Sequence, residues 1–222
     1  MSREAKHRIY EQFARIGKAL ASPNRLELLD FLGQGEWSVE TLAGACELSV
    51  ANASQHLQTL YAARLVESRR AGQRIFYRLA DPSVATLWQA LRKTAQQQLA
   101  ELDTVARQYL EGRDDFEPIG RAELVRRMKA GSVTLIDVRP REEYEQAHLP
   151  GAVCVPLDQI KSFARQVPKR KQIVAYCRGP YCIFALKAVA ELEKRGLKAA
   201  RLEDGVQEWR AAGLPLESGS TS

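Results

Sequence analysis

The chain has 222 residues, which is enough for two domains of ordinary size, and 45% of its residues are hydrophobic. Its net charge is +6, but residues 1–112 hold 14 Lys and Arg against 12 Asp and Glu, so the overall charge does not by itself predict a nucleic-acid partner. No apolar run reaches the length of a membrane span and no secretory signal is visible, so we expect a cytoplasmic protein without a membrane partner.

The chain contains four cysteines. In a reducing compartment we expect free thiols, either reactive or buried, rather than a disulfide framework. The four residues are Cys46, Cys154, Cys177 and Cys182.

Two helices are predicted at the start of the chain. The first covers residues 4–20, because its apolar residues recur at helical spacing. The second begins at Ser22 and Pro23, which suit the N-cap and the first helical position, and it ends before Gly33-Gln34-Gly35. The apolar residues of the first helix are Ile9, Phe13, Ile16 and Leu20.

Two short helices joined by a tight turn are predicted next, over residues 39–47 and 50–61. The apolar face of the second is predicted to contain Val50, Ala53, Leu57 and Leu60, which leaves a polar outer face. This is the pattern of a helix-turn-helix, whose Asn and Gln side chains can pair with base edges in the major groove. The candidate DNA-binding residues of this helix are Ala51, Asn52, Ser54, Gln55, His56 and Gln58.

A β-hairpin is predicted over residues 65–79, where two β-prone runs flank Gly72. Residues 64–78 contain five arginines and one acidic residue, Glu67. A basic hairpin alone is more often a solvated surface, but beside a helix-turn-helix it favours contacts with DNA phosphates or the minor groove. The candidate residues of its tip are Arg70, Gln73, Arg74 and Tyr77.

Residues 5–110 resemble the ArsR/SmtB family of winged-helix repressors, through the segments at 19–29, 48–60 and 63–66. The resemblance implies a homodimer that binds double-stranded operator DNA and releases it when an inducer binds. It also implies dimerisation through the first and last helices. We predict the last helix from Pro82 to about Leu110, with an apolar stripe that needs a partner.

The inducer sites of that family are not matched. Cys46 has no second thiol nearby, and residues 82–111 contain no His. One soft ligand does not make a metal site, so we expect Cys46 in the core, with no metal and no cofactor.

A second domain is expected over residues 113–222, after a polar segment that separates it from residues 1–112. Strands that alternate with helices predict a parallel sheet, and hence an α/β domain after a mainly α-helical one. Strands are predicted near residues 134–139, 148–156, 173–176 and 199–202, and helices near residues 120–130, 157–163, 182–195 and 205–212, with a short helix beginning at residue 142. Cys154 lies in an apolar strand, where we expect it to be buried.

Cys177 follows a β-prone run and precedes a Gly-Pro loop and an apolar helix. Ligands bind at the carboxyl ends of strands in such sheets, and loop N–H groups can favour a thiolate there. These residues leave two interpretations open, an activated nucleophile and a buried cysteine that serves as a small hydrophobe.

Residues 114–217 resemble a single rhodanese domain, through motifs at residues 135–139, 143–144, 148–152, 176–177 and 204–215. The resemblance implies that Cys177 accepts sulfur as a persulfide, and that Asp137, Arg139 and His148 support the loop. It implies a small anionic sulfur donor or a thiol acceptor as partner. The candidate catalytic residues are Cys177, Arg178, Gly179, Pro180, Tyr181 and Cys182.

The loop departs from the family pattern at two positions. Pro180 stands where glycine is usual, and it has no N–H to offer an anion. Cys182 is a second thiol, which can resolve a persulfide or sulfenate on Cys177 into a disulfide. Ile183 stands where a phosphatase or arsenate reductase relative would have Arg, so those activities are not expected. Arg178 either meets the donor or is a solvated loop residue.

The sequence therefore predicts a DNA-binding regulator, a repressor, whose rhodanese-like domain senses or transfers sulfane sulfur, with weak or single-turnover sulfurtransferase activity. Two alternatives remain open. The second domain can turn over thiosulfate independently, or Cys177 and Cys182 can make the repressor respond to arsenite or an oxidant.

Overall fold

The computed structural model of the protein describes residues 2–109, 118–168, 170–180 and 182–219. The chain divides into two compact units, Met1–Thr94 and Ala95–Ser222, which are described separately. The predicted domain boundary near residue 112 falls outside the described residues and stays a prediction. No helix among the described residues is both long enough and apolar enough to cross a bilayer.

The first unit combines helices with a small antiparallel sheet. Its strands pair in the order β1-β3-β2, and β2 and β3 form the predicted hairpin. The helices α3 and α4 are the predicted helix-turn-helix. The elements are α1 (Arg3–Leu20), α2 (Pro23–Leu32), β1 (Trp37–Ser38), α3 (Val39–Ala45), α4 (Val50–Ala62), β2 (Val66–Ala71), β3 (Arg74–Leu79) and α5 (Pro82–Gln98), whose last four residues fall in the second unit.

Local side chains define where these helices begin. Ser38 and Ser49 occupy the N-cap positions of α3 and α4, and each hydroxyl accepts a hydrogen bond from the N–H three residues later. Ser22 holds the N-cap position of α2 without such a bond. Arg25 instead joins α2 to α1, because its Nη2 donates to the carbonyl of Lys18 at 3.0 Å.

Apolar residues from all of its helices form the core of the first unit. The outer surface of α1 is not part of this core. Leu57 and Leu60 of α4 are fully buried, as predicted. The prediction for Val50 is wrong, since it is 49% exposed as the first residue of α4. On α1, Ile9 and Phe13 remain on the surface of the single chain, and Ile16 and Leu20 pack partly against the core.

The predicted helix from Pro82 to about Leu110 is interrupted. A second helix, α6 (Ala100–Tyr109), follows α5 after a break at Leu99. The N–H of Leu102 bonds to the carbonyl of Leu99, three residues back, which tightens the backbone there. The apolar residues left exposed along the two helices are Leu87, Leu91, Leu99 and Val105.

The remainder of the second unit is built on the predicted parallel sheet, which has four strands in the order β5-β4-β6-β7. Apolar side chains cover both faces of it, as parallel sheets require. The elements are α7 (Arg121–Lys129), β4 (Val133–Asp137), α8 (Arg141–Gln146), β5 (Val153–Cys154), α9 (Ile160–Gln166), β6 (Gln172–Tyr176), α10 (Ile183–Glu193), β7 (Ala199–Arg201) and α11 (Val206–Ala211).

The carboxyl ends of three strands meet at one edge of the sheet. Asp137 ends β4 and pairs in register with Cys154 of β5 on one side and Tyr176 of β6 on the other. Cys177 comes directly after Tyr176. The alternation of side chains along β6 therefore places Tyr176 and Cys177 on opposite faces of the sheet.

Candidate functional site

The loop after β6 places two thiols together. Cys177 is 2% exposed, and Cys182 holds the N-cap position of α10. The two cysteines form a disulfide with their Cα atoms 6.1 Å apart, within the usual range for disulfides. The expectation of free thiols is therefore wrong for this pair, while the proximity of Cys182 to Cys177 is as predicted. Tyr181 lies outside the described residues.

The loop itself is short and closed by its own backbone. The N–H of Cys182 donates to the carbonyl of Gly179 at 3.1 Å. The strand, loop and helix predicted around Cys177 are present in the structure. Proline at position 180 leaves the loop with one N–H fewer.

Arg178 is held by a carboxylate from α8. Its Nε lies 2.9 Å from Oε2 of Glu143, and the exposed fractions of the two side chains are 16% and 5%. Its guanidinium also lies 5.3 Å from the centre of the Phe184 ring. The interpretation of Arg178 as a solvated loop residue is wrong, and its contact with a sulfur donor stays a prediction.

The backbone of the loop packs directly against Gly205, the residue before α11. A Cβ atom at this position would lie 2.2 Å from the carbonyl oxygen of Arg178 and 2.8 Å from that of Cys177. Only glycine permits this approach. The sequence analysis grouped Gly205 with the rhodanese-like motif but did not predict the contact.

Arg201 at the end of β7 contacts the loop from another side. Its Nη1 donates to the carbonyl of Pro180 at 2.7 Å, and burial lowers the pKa of its guanidinium. Sequence reasoning missed this residue. The available signal was its position at the carboxyl end of the strand beside β6.

Asp137 and Arg139 form a fully buried ion pair. Two nitrogens of Arg139 contact the Asp137 carboxylate, with Nη2 2.6 Å from Oδ2, and the same Nη2 donates to the carbonyl of Ala147 at 2.7 Å. Burial opposes the charge of Arg139, but the charge of Asp137 and its hydrogen bond outweigh burial, so the pKa of Arg139 is raised. Burial and the Asp137 charge also raise the pKa of Tyr176.

His148 joins the segment around Glu217 to this edge of the sheet. Its ring stacks on Tyr144 with the centroids 3.7 Å apart, and Nδ1 lies 2.8 Å from the carbonyl of Tyr144. The backbones of His148 and Glu217 exchange two hydrogen bonds of 2.8 and 2.9 Å. Asp137, Arg139 and His148 are thus all buried, near the edge of the sheet where the loop after β6 begins.

The other two cysteines lie away from the loop. Cys46 is 7% exposed in the core of the first unit, as predicted. Cys154 is half-buried rather than buried, and the partial burial raises the pKa of its thiol. Among the described residues, no group of three or more His, Cys, Asp or Glu side chains is arranged to hold a metal ion.

The outer surface of α4 carries five of the six DNA-binding residues predicted for this helix. Ala51, Gln55 and Gln58 are exposed, and Asn52 and Ser54 are half-buried. Contacts of these five residues with a major groove stay a prediction.

Two predicted DNA contacts are placed differently. His56 is half-buried, and its Nε2 lies 3.2 Å from Nδ2 of Asn24 on α2. The prediction for Tyr77 is wrong, because it is 6% exposed within the core of the first unit. Burial raises the pKa of its hydroxyl. Its place at the middle of β3, rather than at the hairpin tip, directs the ring towards the core.

The tip of the hairpin is the more exposed basic surface. Gly72 turns the chain with a φ of 62°, and Nε of Arg70 donates to its carbonyl at 3.1 Å. Arg70, Gln73 and Arg74 are exposed, and neither arginine forms an ion pair with a described carboxylate.

The other strand arginines of the hairpin are paired. Arg69 contacts Glu36, and Nη2 of Arg78 lies 2.7 Å from Glu67. The positive charge available to a ligand is therefore concentrated at the tip.

Comparison with known proteins agrees with the division of the chain into two units. A family model for a rhodanese-like domain matches residues 121–212, and one for a helix-turn-helix domain matches residues 20–69. The HTH-type transcriptional regulator Rv0324 of Mycobacterium tuberculosis is 43% identical over 217 residues, which cover 98% of this chain and 95% of that protein. The chain belongs to this family of ArsR/SmtB-type winged-helix transcriptional regulators with a rhodanese-like domain.

Shorter similarities accompany this one. The transcriptional repressor SmtB homolog of Synechocystis is 40% identical over 78 residues, covering 35% of this chain and 59% of that protein. The putative sulfur carrier protein YrkF of Bacillus subtilis is 30% identical over 79 residues, covering 35% of this chain and 42% of that protein.

Proposed function

We propose that this regulator is a homodimeric repressor whose rhodanese-like domain receives sulfane sulfur on Cys177 and thereby changes its affinity for operator DNA. The observation that supports the proposal most is the loop after β6, which holds Cys177 at the sheet edge and bonds it to a second thiol. A regulator of transcription acts at the chromosome, so a cytoplasmic location belongs to the proposal.

The proposed reaction starts from the reduced loop. The Cys177 thiolate attacks the outer sulfur of an anionic donor such as thiosulfate. A sulfur–sulfur bond forms to Cys177 while the sulfur–sulfur bond of the donor breaks, and sulfite leaves with the electron pair. The product is a Cys177 persulfide, which can pass its outer sulfur to a thiol acceptor.

Cys182 offers the persulfide a second fate. Its thiolate attacks the inner sulfur, on Cys177, and hydrosulfide leaves with the electron pair. The two thiols are oxidised together to the disulfide, and the sulfane sulfur is reduced. No further oxidant is needed, and the loop is returned to thiols only by an external reductant. Such a one-way step suits a sensor that reacts once per signal.

The first unit supplies the proposed DNA contacts. The exposed face of α4 reads base edges, and Arg70 and Arg74 at the hairpin tip contact phosphates. The exposed apolar side chains of α1 and α5 support dimerisation, because a single chain leaves Ile9, Phe13 and Leu91 in contact with water. The similarity to the Synechocystis repressor supports repression.

A titration of DNA binding tests the proposal. Duplexes are selected from a random pool by the reduced full-length protein, and affinity is measured by fluorescence anisotropy before and after thiosulfate or polysulfide. We expect an affinity change of roughly tenfold, a typical coupling between two sites, in the wild type and in Cys154→Ser. Cys177→Ser should show none. A wild-type protein whose intact mass shows the persulfide or the Cys177–Cys182 disulfide, without any change in affinity, would contradict the proposed sensing.

The disulfide favours a second candidate, a response to oxidants. A peroxide would oxidise the Cys177 thiolate to a sulfenate, and Cys182 would then displace water to form the same disulfide. Intact mass of Cys182→Ser separates the two routes. A sulfur adduct after thiosulfate supports sulfur sensing, and an oxygen adduct formed only with peroxide supports oxidant sensing.

A further inference from the structure

Arg201 differs from Arg178 and Arg139, the other arginines near the loop after β6, in having no described carboxylate bound to it. We propose that Arg201, rather than Arg178, stabilises the negative charge on Cys177 in the thiolate and the persulfide. The proposal deepens the proposed function and rests on it for the persulfide, although the thiolate can be tested without it.

The placement of Arg201 follows from the sheet register. Ala175 of β6 pairs with Arg201 of β7, and Cys177 lies two residues beyond Ala175. Residues two apart on a strand share a face. Ala175, Cys177 and Ala199 belong to one apolar cluster, on the face that α10 covers. The side chain of Arg201 thus starts on the same face as the sulfur of Cys177 and reaches Pro180 within the loop.

The neighbouring cations are neutralised. Arg178 is paired with Glu143, and Arg139 is paired with Asp137. No carboxylate of the described residues lies within ion-pair distance of Arg201, although the charge of Glu203 favours its protonation from further away. The positive charge of Arg201 is therefore available to stabilise an anion formed on Cys177.

One nitrogen of Arg201 also lacks an acceptor. Its Nε is buried and has no hydrogen-bond partner among the described residues, while Nη1 is bound to Pro180. A buried donor without an acceptor is destabilising. The disulfide offers it no negative sulfur, whereas reduction creates a thiolate and sulfur transfer creates a persulfide. The proposed interaction thus exists only in the states in which the loop is chemically active.

The experiment measures the reactivity of each cysteine separately. The fully reduced full-length protein is alkylated with iodoacetamide between pH 5 and pH 10, and the rates are read from tryptic peptides. Cleavage after Arg178 separates the peptide with Cys177 from the peptide with Cys182. The variants are Arg201→Gln and Arg201→Lys. The control is Arg195→Gln, two residues beyond the C-terminal end of α10, where Arg195 pairs with Glu191.

In Arg201→Gln we expect the pKa of Cys177 to rise by about one pH unit, because a nearby cation lowers a thiol pKa by at least that much. Alkylation at neutral pH should then be about tenfold slower. Arg201→Lys should retain most of the rate because it keeps the charge, and Arg195→Gln should match the wild type. Wild-type behaviour of Arg201→Gln overturns the proposal. An equal loss in Arg201→Gln and Arg201→Lys also overturns it, because it indicates a structural role.

Sulfur uptake is measured in parallel by intact mass after thiosulfate in Cys182→Ser, which keeps the persulfide because it cannot form the disulfide. If Cys182→Ser takes up sulfur and Arg201→Gln keeps the wild-type alkylation profile, Arg201 is excluded and the proposed function stands. If Cys182→Ser takes up no sulfur, the proposed function fails. A shifted alkylation profile in Arg201→Gln would then still support stabilisation of the thiolate.

Discussion

The two units present their functional groups in opposite ways. In the first, Gln55 and Gln58 of α4 and the arginines of the hairpin tip, Arg70 and Arg74, are exposed. In the second, Cys177 is buried, and the groups around it are paired with one another beneath the surface. A DNA-binding surface must be accessible to its ligand, whereas a reactive thiol needs neighbouring groups held in fixed positions.

This difference determines how each site responds to substitution. A residue exposed at the hairpin tip can be replaced with little effect on the fold, so its loss is expected to change binding alone. A residue in the buried network supports both stability and reactivity, because its partners lose their hydrogen bonds when it is removed. The predictions below test that contrast.

The largest effect is expected for Asp137→Ala, which leaves the buried guanidinium of Arg139 without its carboxylate. Breaking such a pair costs about 3–5 kcal/mol. Hydrogen exchange of β4 and β6 measures the loss within the full-length protein. Exchange in α4 should not change, and Asp158→Ala, at an exposed position, is the control. Unchanged protection of β6 in Asp137→Ala would show that the buried pair does not stabilise the sheet.

A large effect on reactivity is expected for Gly205→Ala, because the new methyl group overlaps the carbonyl oxygen of Arg178. The loop must move, and a misplacement of about 1 Å costs on the order of a hundredfold in rate. The rate of sulfur uptake from thiosulfate, read by intact mass with Cys182→Ser also present so that the persulfide is retained, measures it. Gly120→Ala is the matched control, since a Cβ there meets nothing within 4 Å. Equal rates in the two variants would contradict the proposed role of the contact.

A moderate effect is expected for Arg74→Ala, confined to DNA binding. Loss of one phosphate contact reduces the slope of log affinity against log salt by about one. Anisotropy titrations at several salt concentrations measure the slope. The double variant Glu67→Gln/Arg78→Gln removes a neutral pair and should keep the wild-type slope. If both variants change it equally, the tip is not the phosphate contact.

The smallest effect is expected for Tyr77→Phe. The ring is buried in the core, so removal of its hydroxyl should leave operator affinity unchanged within error. Gln73→Ala, which alters an exposed residue of the tip, should weaken binding in the same titration. Weaker binding by Tyr77→Phe alone would restore Tyr77 as a DNA contact.

The sequence predicted the elements well because their signals are local. Helical spacing identified α3 and α4, and a strand followed by Cys177 and a Gly-Pro loop identified the sheet edge. The errors came from position within an element. Val50 has the right spacing for the core but is the first residue of α4, and Tyr77 lies too far from the turn to reach the tip.

The contacts of the sulfur site could not be predicted in the same way. Glu143, Arg201 and Gly205 come from three separate segments, and each acquires its role only when the sheet brings that segment to the loop. A spacing rule describes one element at a time, so it singled out Arg178 as the cation of the loop. It could not show that a carboxylate of α8 already holds that charge.

The contact between His148 and Glu217 makes the last described residues part of this architecture. The side chain of Glu217 accepts from the N–H of Gly151 at 3.0 Å, and the N–H of Gly219 donates to the carbonyl of Glu145 on α8. The same helix carries Glu143. A peptide that displaces residues 217–219 would loosen α8 and its contact with Arg178, so this segment can influence the loop that holds Cys177 from a distance.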